Sequence, residues 1–206
     1  MKDKFISKMI GSLLIVSFFA YSCNNNATVT TDDDDSLAKA DTGMNMNNID
    51  TSSAPMAEKA EATLNGTYPD TTVTGSAKFE VMADGKVKMM LELTVASKAG
   101  KNVAVHLHED GSCDDHGKAS HGHWNPTNTQ HGKWGENSFH SGDIGNVKLD
   151  SKGKGTLTLE TDFWTLGGRA DKNILGKAII VHGGEDDYKS QPSGNAGERI
   201  GCGVIR

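Results

Sequence analysis

Seven of the chain's eight histidines fall between residues 103 and 147. Neutral imidazole is the commonest protein ligand for zinc and copper, so this density in a loop-rich stretch points to a metal. His106 and His108 stand two apart in the alternating run Val-Ala-Val-His-Leu-His. On a β-strand such residues share a face, and one ion can take both rings from a rigid element. A pair of half-buried strand histidines is the plain alternative for these two alone. The polar loop that follows adds His123, His131, His140 and Asp143, and His182 ends the apolar run Ala178-Ile179-Ile180-Val181.

The elements that must hold these side chains read as strands. Residues 62–65 open the folded part. Residues 74–82 alternate, with Gly75, Ala77, Phe79 and Val81 on one side. Ala83-Asp84-Gly85 is a hairpin signal, and residues 86–95 follow with Val87, Met89, Leu91, Leu93 and Val95 on one face. A polar turn at 97–102 leads into the strand at 103–108. After the histidine loop come a short strand at 147–149, a hairpin signal at 150–153, and an alternating 154–160 with Leu157 and Leu159 inward. Residues 163–177 are irregular, 178–182 form a buried run and 200–205 close the chain. No stretch sustains a helical period. About eight strands at turn-punctuated spacing predict an all-β sandwich or flattened barrel.

With 206 residues the chain has room for one domain plus extensions, and 24 glycines suit long loops better than helices. A net charge of −6 argues against nucleic-acid binding through a basic surface. Residues 1–22 read as an export signal: Lys2, Lys4 and Lys8 precede an apolar run at 9–20 that is too short to span a membrane. The run stops at Ala20-Tyr21-Ser22-Cys23, which resembles a bacterial lipoprotein signal with Ala20 where Leu is usual. Cys23 would then be the lipidated first residue of the mature chain; an ordinary secretory peptide cut near Ser22 is the alternative. Residues 23–60 are poor in aromatics, carry four acids at 32–35 and read as a disordered tether. Met44, Met46 and Met56 fit a loose tether better than a copper relay. Three cysteines suggest one pair and one cysteine with another job.

Over roughly residues 62–206 the chain resembles the copper/zinc superoxide dismutases. His106-Leu-His108-Glu followed by Cys113 resembles that family's copper signature. Gly122-His123-Trp124-Asn125-Pro126, Gln130-His131-Gly132 and His140-Ser-Gly-Asp143-Ile-Gly-Asn146 are similar to its zinc loop. Val181-His182 matches the late copper histidine, and residues 194–205, Gly-Asn-Ala-Gly-Glu-Arg-Ile-Gly-Cys-Gly-Val-Ile, resemble its C-terminal signature.

The resemblance implies an eight-stranded Greek-key β-sandwich with long metal-binding and electrostatic loops over residues 61–206. It implies copper on His106, His108, His123 and His182, and zinc on His123, His131, His140 and Asp143, with His123 shared. Imidazoles in a tetragonal set suit copper(II), and three imidazoles with one carboxylate suit tetrahedral zinc. Asp186 would bridge a copper histidine and a zinc histidine. Arg199 would guide the anion, with Lys189 the one nearby lysine candidate for steering. Cys113 and Cys202 would pair, contributing roughly 4–5 kcal/mol on the chain-entropy model. The implied activity disproportionates superoxide to dioxygen and hydrogen peroxide, with copper redox-cycling and zinc structural. A non-enzymatic copper- or zinc-binding lipoprotein on the same fold is the competing reading. His116 and His121 lie outside the ligand pattern and read as loop residues. An exported location, periplasm or cell surface, is expected; a homodimer is compatible with the sequence.

Overall fold

A computed structural model describes residues 55–206. The export signal, Cys23 and the tether as far as residue 54 lie outside the described residues. Eight strands follow in chain order: β1 Lys59–Gly66, β2 Thr74–Val81, β3 Val87–Thr94, β4 Asn102–His108, β5 Gly145–Lys148, β6 Lys154–Thr161, β7 Ala178–His182 and β8 Arg199–Val204. Among the described residues the helical elements are two three-residue 3-10 turns.

All pairings are antiparallel, in the order β5-β4-β7-β8-β1-β2-β3-β6. The chain therefore changes halves at β3–β4, β5–β6 and β6–β7, giving a Greek-key barrel. The halves are stitched at β1–β8, where Asn65 pairs with Cys202 and Gly66 with Gly201. At the opposite seam β5 and β6 approach without pairing. There a Cβ on Gly155 would come 2.6 Å from Val147 Cγ1, so the close approach needs glycine.

The expected alternation holds in β3, where Val87, Met89, Leu91 and Leu93 are buried and the intervening residues face out. Phe79, Leu107, Trp164 and Ile179 meet these residues in one core. Burying one such side chain contributes about 1.5–3 kcal/mol. Leu157 and Leu159 of β6 point inward but are only half-buried, because β6 ends the hydrogen-bonded order.

One boundary needs correction. The sequence reading begins the domain at residue 61, but Lys59 and Ala60 already pair with Glu80 and Phe79. Ala57 N–H also donates to Leu166 O at 2.7 Å. The inward positions at the start of β1 are Ala60 and Ala62, which bury little area and give a weak alternation signal.

β4 is buried on both faces. Val103, Val105 and Leu107 enter the core. By the period of two, Ala104, His106 and His108 face outward, where the long loop 109–144 covers them.

Candidate metal centre

Three neighbouring strands set the histidine geometry. β4 pairs with β7, placing His106 opposite Ile180 and His108 opposite Ala178. His182 lies on the same outward face of β7 as Ile180 and Ala178. A register shift between Val181 and His182 then pairs His182 with Arg199 of β8. Such irregularities re-aim side chains, and this one brings the late histidine and the arginine together.

The loop 109–144 returns across that face. His123 makes an isolated bridge with His108. Trp124 N–H donates to Leu107 O at 2.8 Å, and Leu107 N–H to Gly142 O at 2.9 Å. Gly142 is obligatory: a Cβ there would collide with Leu107 O and come 3.0 Å from Trp124 N. Trp164 Nε1–H reaches from the core to Ser141 O at 2.8 Å and ties the loop to the barrel.

Two donor groups result. One ligand atom each from His106, His108, His123 and His182 lie within 4.8 Å of one another, and so do those of His123, His131, His140 and Asp143. All seven side chains are buried. His123 belongs to both groups, and its ring centroid is 4.0 Å from that of His106.

The remaining ring nitrogens explain why these groups are donors. His108 Nδ1 bonds His121 O at 2.9 Å, His182 Nδ1 bonds Gly197 O at 3.2 Å, and His106 Nε2 bonds Asp186 Oδ2 at 2.8 Å. Carbonyl and carboxylate oxygens only accept, so each of those nitrogens carries the proton. That leaves lone pairs on His106 Nδ1, His108 Nε2 and His182 Nε2, which with His123 Nε2 are buried and without hydrogen-bond partners. A buried, unpaired polar nitrogen is costly unless a ligand meets it. Four converging on one point fit a metal ion. His131 Nδ1 is likewise unbonded; it lies 3.0 Å from Asp143 Oδ2 but outside hydrogen-bonding geometry. The residues therefore fit both metals.

Asp186 reaches a histidine of each donor group. Its carboxylate takes His106 Nε2 on one oxygen and His131 Nε2, at 2.9 Å, on the other. Tyr188 N–H donates to the same carboxylate, and the Asn146 side chain pairs with the Asp186 backbone N–H and C=O. Gly194, at φ +64°, leaves room for this carboxylate: a Cβ would overlap Asp186 Oδ1.

Burial sets the charge states. Desolvation, then neighbouring histidines, pulls His108 and His182 far below the usual imidazole range and His123 down to about 4. Desolvation also lowers His106, against the pull of Asp186. These rings are neutral at pH 7 and ready to ligate. Burial opposes protonation of His131 too, but the carboxylates of Asp143 and Asp186, one beside each ring nitrogen, outweigh it and raise the ring to about 9. Asp143 and Asp186 resist burial's upward push because histidine hydrogen bonds hold both well below the carboxylate range.

Arg199 is half-buried beside the first group. Its Nη1 donates to Gly117 O at 2.7 Å and Ser120 Oγ at 3.1 Å, and its Nη2 to His121 O at 2.7 Å. It lines a cleft of about 460 Å³ together with His108, His123 and His182. Lys189 is exposed and does not line that cleft. Gln191 and Pro192, from the same segment, line it instead. Cys113 and Cys202 form a disulfide, with Cα atoms 5.7 Å apart.

Sequence reasoning missed the carbonyls of Gly117, His121 and Gly197 and the side chains of Ser120 and Gln191. Gln191 brackets His131, accepting from its N–H at 2.9 Å and donating to its O at 3.0 Å. No residue-type pattern announces a backbone acceptor.

The family model for copper/zinc superoxide dismutase (SODC) matches residues 73–205. The chain belongs to the copper/zinc superoxide dismutase family. Among curated relatives, superoxide dismutase [Cu-Zn] 1 of Aquifex aeolicus is 43% identical over 109 residues, 50% of this chain and 64% of that protein. A second Aquifex dismutase is likewise matched over 63% of its length, so the alignments span just under two thirds of these two relatives. Superoxide dismutase [Cu-Zn] of Yarrowia lipolytica is 34% identical over 154 residues, 71% of this chain and 96% of that one. A solved double mutant of a SOD-like protein from Bacillus subtilis superposes with a TM-score of 0.62 at 30% identity, covering 70% of this chain and 95% of its own. The clock protein EA4 gives 0.64 at 30% identity, over 73% and 95%. Copper and zinc, the metals in the superoxide dismutase family's name, suit the two donor groups.

Proposed function

We propose that this chain disproportionates superoxide to dioxygen and hydrogen peroxide, with His106, His108, His123 and His182 holding copper and His123, His131, His140 and Asp143 holding zinc. The observation that carries the reading is the convergence of four unpaired imidazole nitrogens, three of them on histidines that line a cleft with Arg199. Bound there, copper supplies one-electron redox cycling and zinc a fixed positive charge.

Arg199 draws and orients the anion, since a guanidinium keeps its charge at any working pH and presents planar donors. Its carbonyl partners fix its direction without neutralising it. The net charge of −6 repels an anionic substrate at long range, so attraction is local to the cleft. His123 is the ring common to both donor groups. Its Nδ1 faces Asp143 at 2.8 Å and its Nε2 faces the copper set, so Nε2 is the atom that takes up and returns a proton. Asp186 spans the two groups and keeps His106 and His131 in register while that proton moves.

The test pairs metal analysis with direct superoxide decay, with and without copper. About one copper and one zinc per chain with copper-dependent turnover is expected on the ligand count. Stoichiometric metal without turnover would leave a metal-binding protein on the same fold. We extend the proposal to export, with residues 1–22 removed and Cys23 lipidated; mass spectrometry of the mature amino terminus decides between that and cleavage near Ser22.

A further inference from the structure

His121 is used by neither donor group, and its ring is exposed, yet its backbone lies at the centre of the site. It adopts φ 58° and ψ −140°. The left-handed well available to ordinary residues has ψ near +30 to +60°. A residue with a side chain persists outside it only where its surroundings over-determine the conformation.

Three side-chain hydrogen bonds do so here. The His121 carbonyl accepts from Arg199 Nη2 at 2.7 Å and from His108 Nδ1 at 2.9 Å. The His121 ring bonds through Nδ1 to the Asp110 carboxylate at the start of the same loop. Asp110 is itself fixed, because its N–H donates to Ser120 O at 3.2 Å. The two side chains are 66% and 58% exposed, a setting in which a polar pair adds little stability by itself. Its effect is on orientation.

We propose that Asp110 and His121 form a positioning clamp, in which their side-chain bond holds the His121 peptide so that one carbonyl orients both His108 and Arg199. A turn of that peptide would remove an acceptor from each partner in a single motion. His108 would lose the bond that fixes its tautomer, and Arg199 would lose one of the bonds that aim it. The catalytic consequence rests on the superoxide reading above; the clamp itself is a property of this chain.

The experiment compares the full-length protein with Asp110→Ala, His121→Ala and the double variant Asp110→Ala/His121→Gly. Nitrogen-15 NMR of the metal-free protein follows the His108 Nδ1–H signal, and kcat/KM of the loaded protein is measured at high salt, where exposed charges are screened. Each alanine variant should lose the protected His108 signal and about tenfold in kcat/KM, while zinc content stays unchanged. The double variant should recover both to within about twofold, because glycine adopts this backbone without a clamp. Removing an acid near an anion's path would, by steering alone, raise kcat/KM, the opposite sign. An Asp110→Ala protein with the His108 signal and kcat/KM intact would overturn the clamp, as would failure of glycine to rescue. Should the loaded parent protein show no turnover, the superoxide reading falls, and the NMR arm still decides the clamp.

Discussion

Asp186 carries more of the site than its position in an acidic Glu-Asp-Asp turn suggests. Its two oxygens each hold a histidine from a different donor group, and both histidines thereby present Nδ1 inward. Partners of this kind orient the ligand and set its tautomer. Asp186→Ala is therefore expected to weaken binding of both metals by about 10- to 100-fold, measured by competition with chelators. A loss confined to one metal would mean that only one of the two bonds matters. The ligands themselves were legible because their chemistry lies in their side chains, and side chains leave a spacing pattern. Arg199 was legible by resemblance, whereas the groups that aim it were not: three of its four acceptors are backbone carbonyls.

At the scale of elements, the loop 109–121 and strand β8 are joined by the Cys113–Cys202 disulfide, across a sequence separation of 89. Cys202 lies three positions beyond Arg199 on β8, and the carbonyls that receive Arg199 lie between Gly117 and His121. One covalent link thus holds the arginine's strand against its acceptors. Replacing both cysteines by serine should cost about 2–5 kcal/mol in denaturant unfolding. It should also lower kcat/KM more than it lowers metal content, because the histidine positions depend on β4, β7 and the zinc loop. Equal losses in the two would place the disulfide's effect in global stability alone. The strands were readable where large apolar residues alternate, as in β3. They were not where the inward positions are alanines, and so the start of β1 was read too late. Leu157 and Leu159 gave the right face of β6 but not its half-burial, which follows from its place at the end of the strand order.

For the whole molecule, the buried imidazoles make stability depend on pH in a definite direction. In the unfolded chain histidines take up protons near pH 6.5. In the folded metal-free protein His106, His108 and His182 are held below that value and His123 at about 4. Below pH 6.5 the unfolded state therefore binds more protons, and stability falls as pH falls through the folded values. Asp143 and Asp186, depressed when folded, add to the loss below the ordinary carboxylate range. His131 works the other way: raised to about 9, its contribution is complete below 6.5 and is lost as pH rises through 9. Urea unfolding of the metal-free protein should thus show greatest stability near neutrality, with losses on both sides. The loaded protein should resist acid further, since a ligated nitrogen accepts a proton only when its metal leaves. A metal-free protein more stable at pH 5 than at pH 7 would contradict the assigned neutral imidazoles.

The two donor groups matter together only if His123 serves both. Anomalous diffraction at the copper and zinc edges, on crystals of the protein loaded with both metals, tests this most directly. Two peaks are expected, one bonded to His106, His108, His123 and His182 and the other to His123, His131, His140 and Asp143. A single peak, or two peaks with no ligand in common, would contradict it.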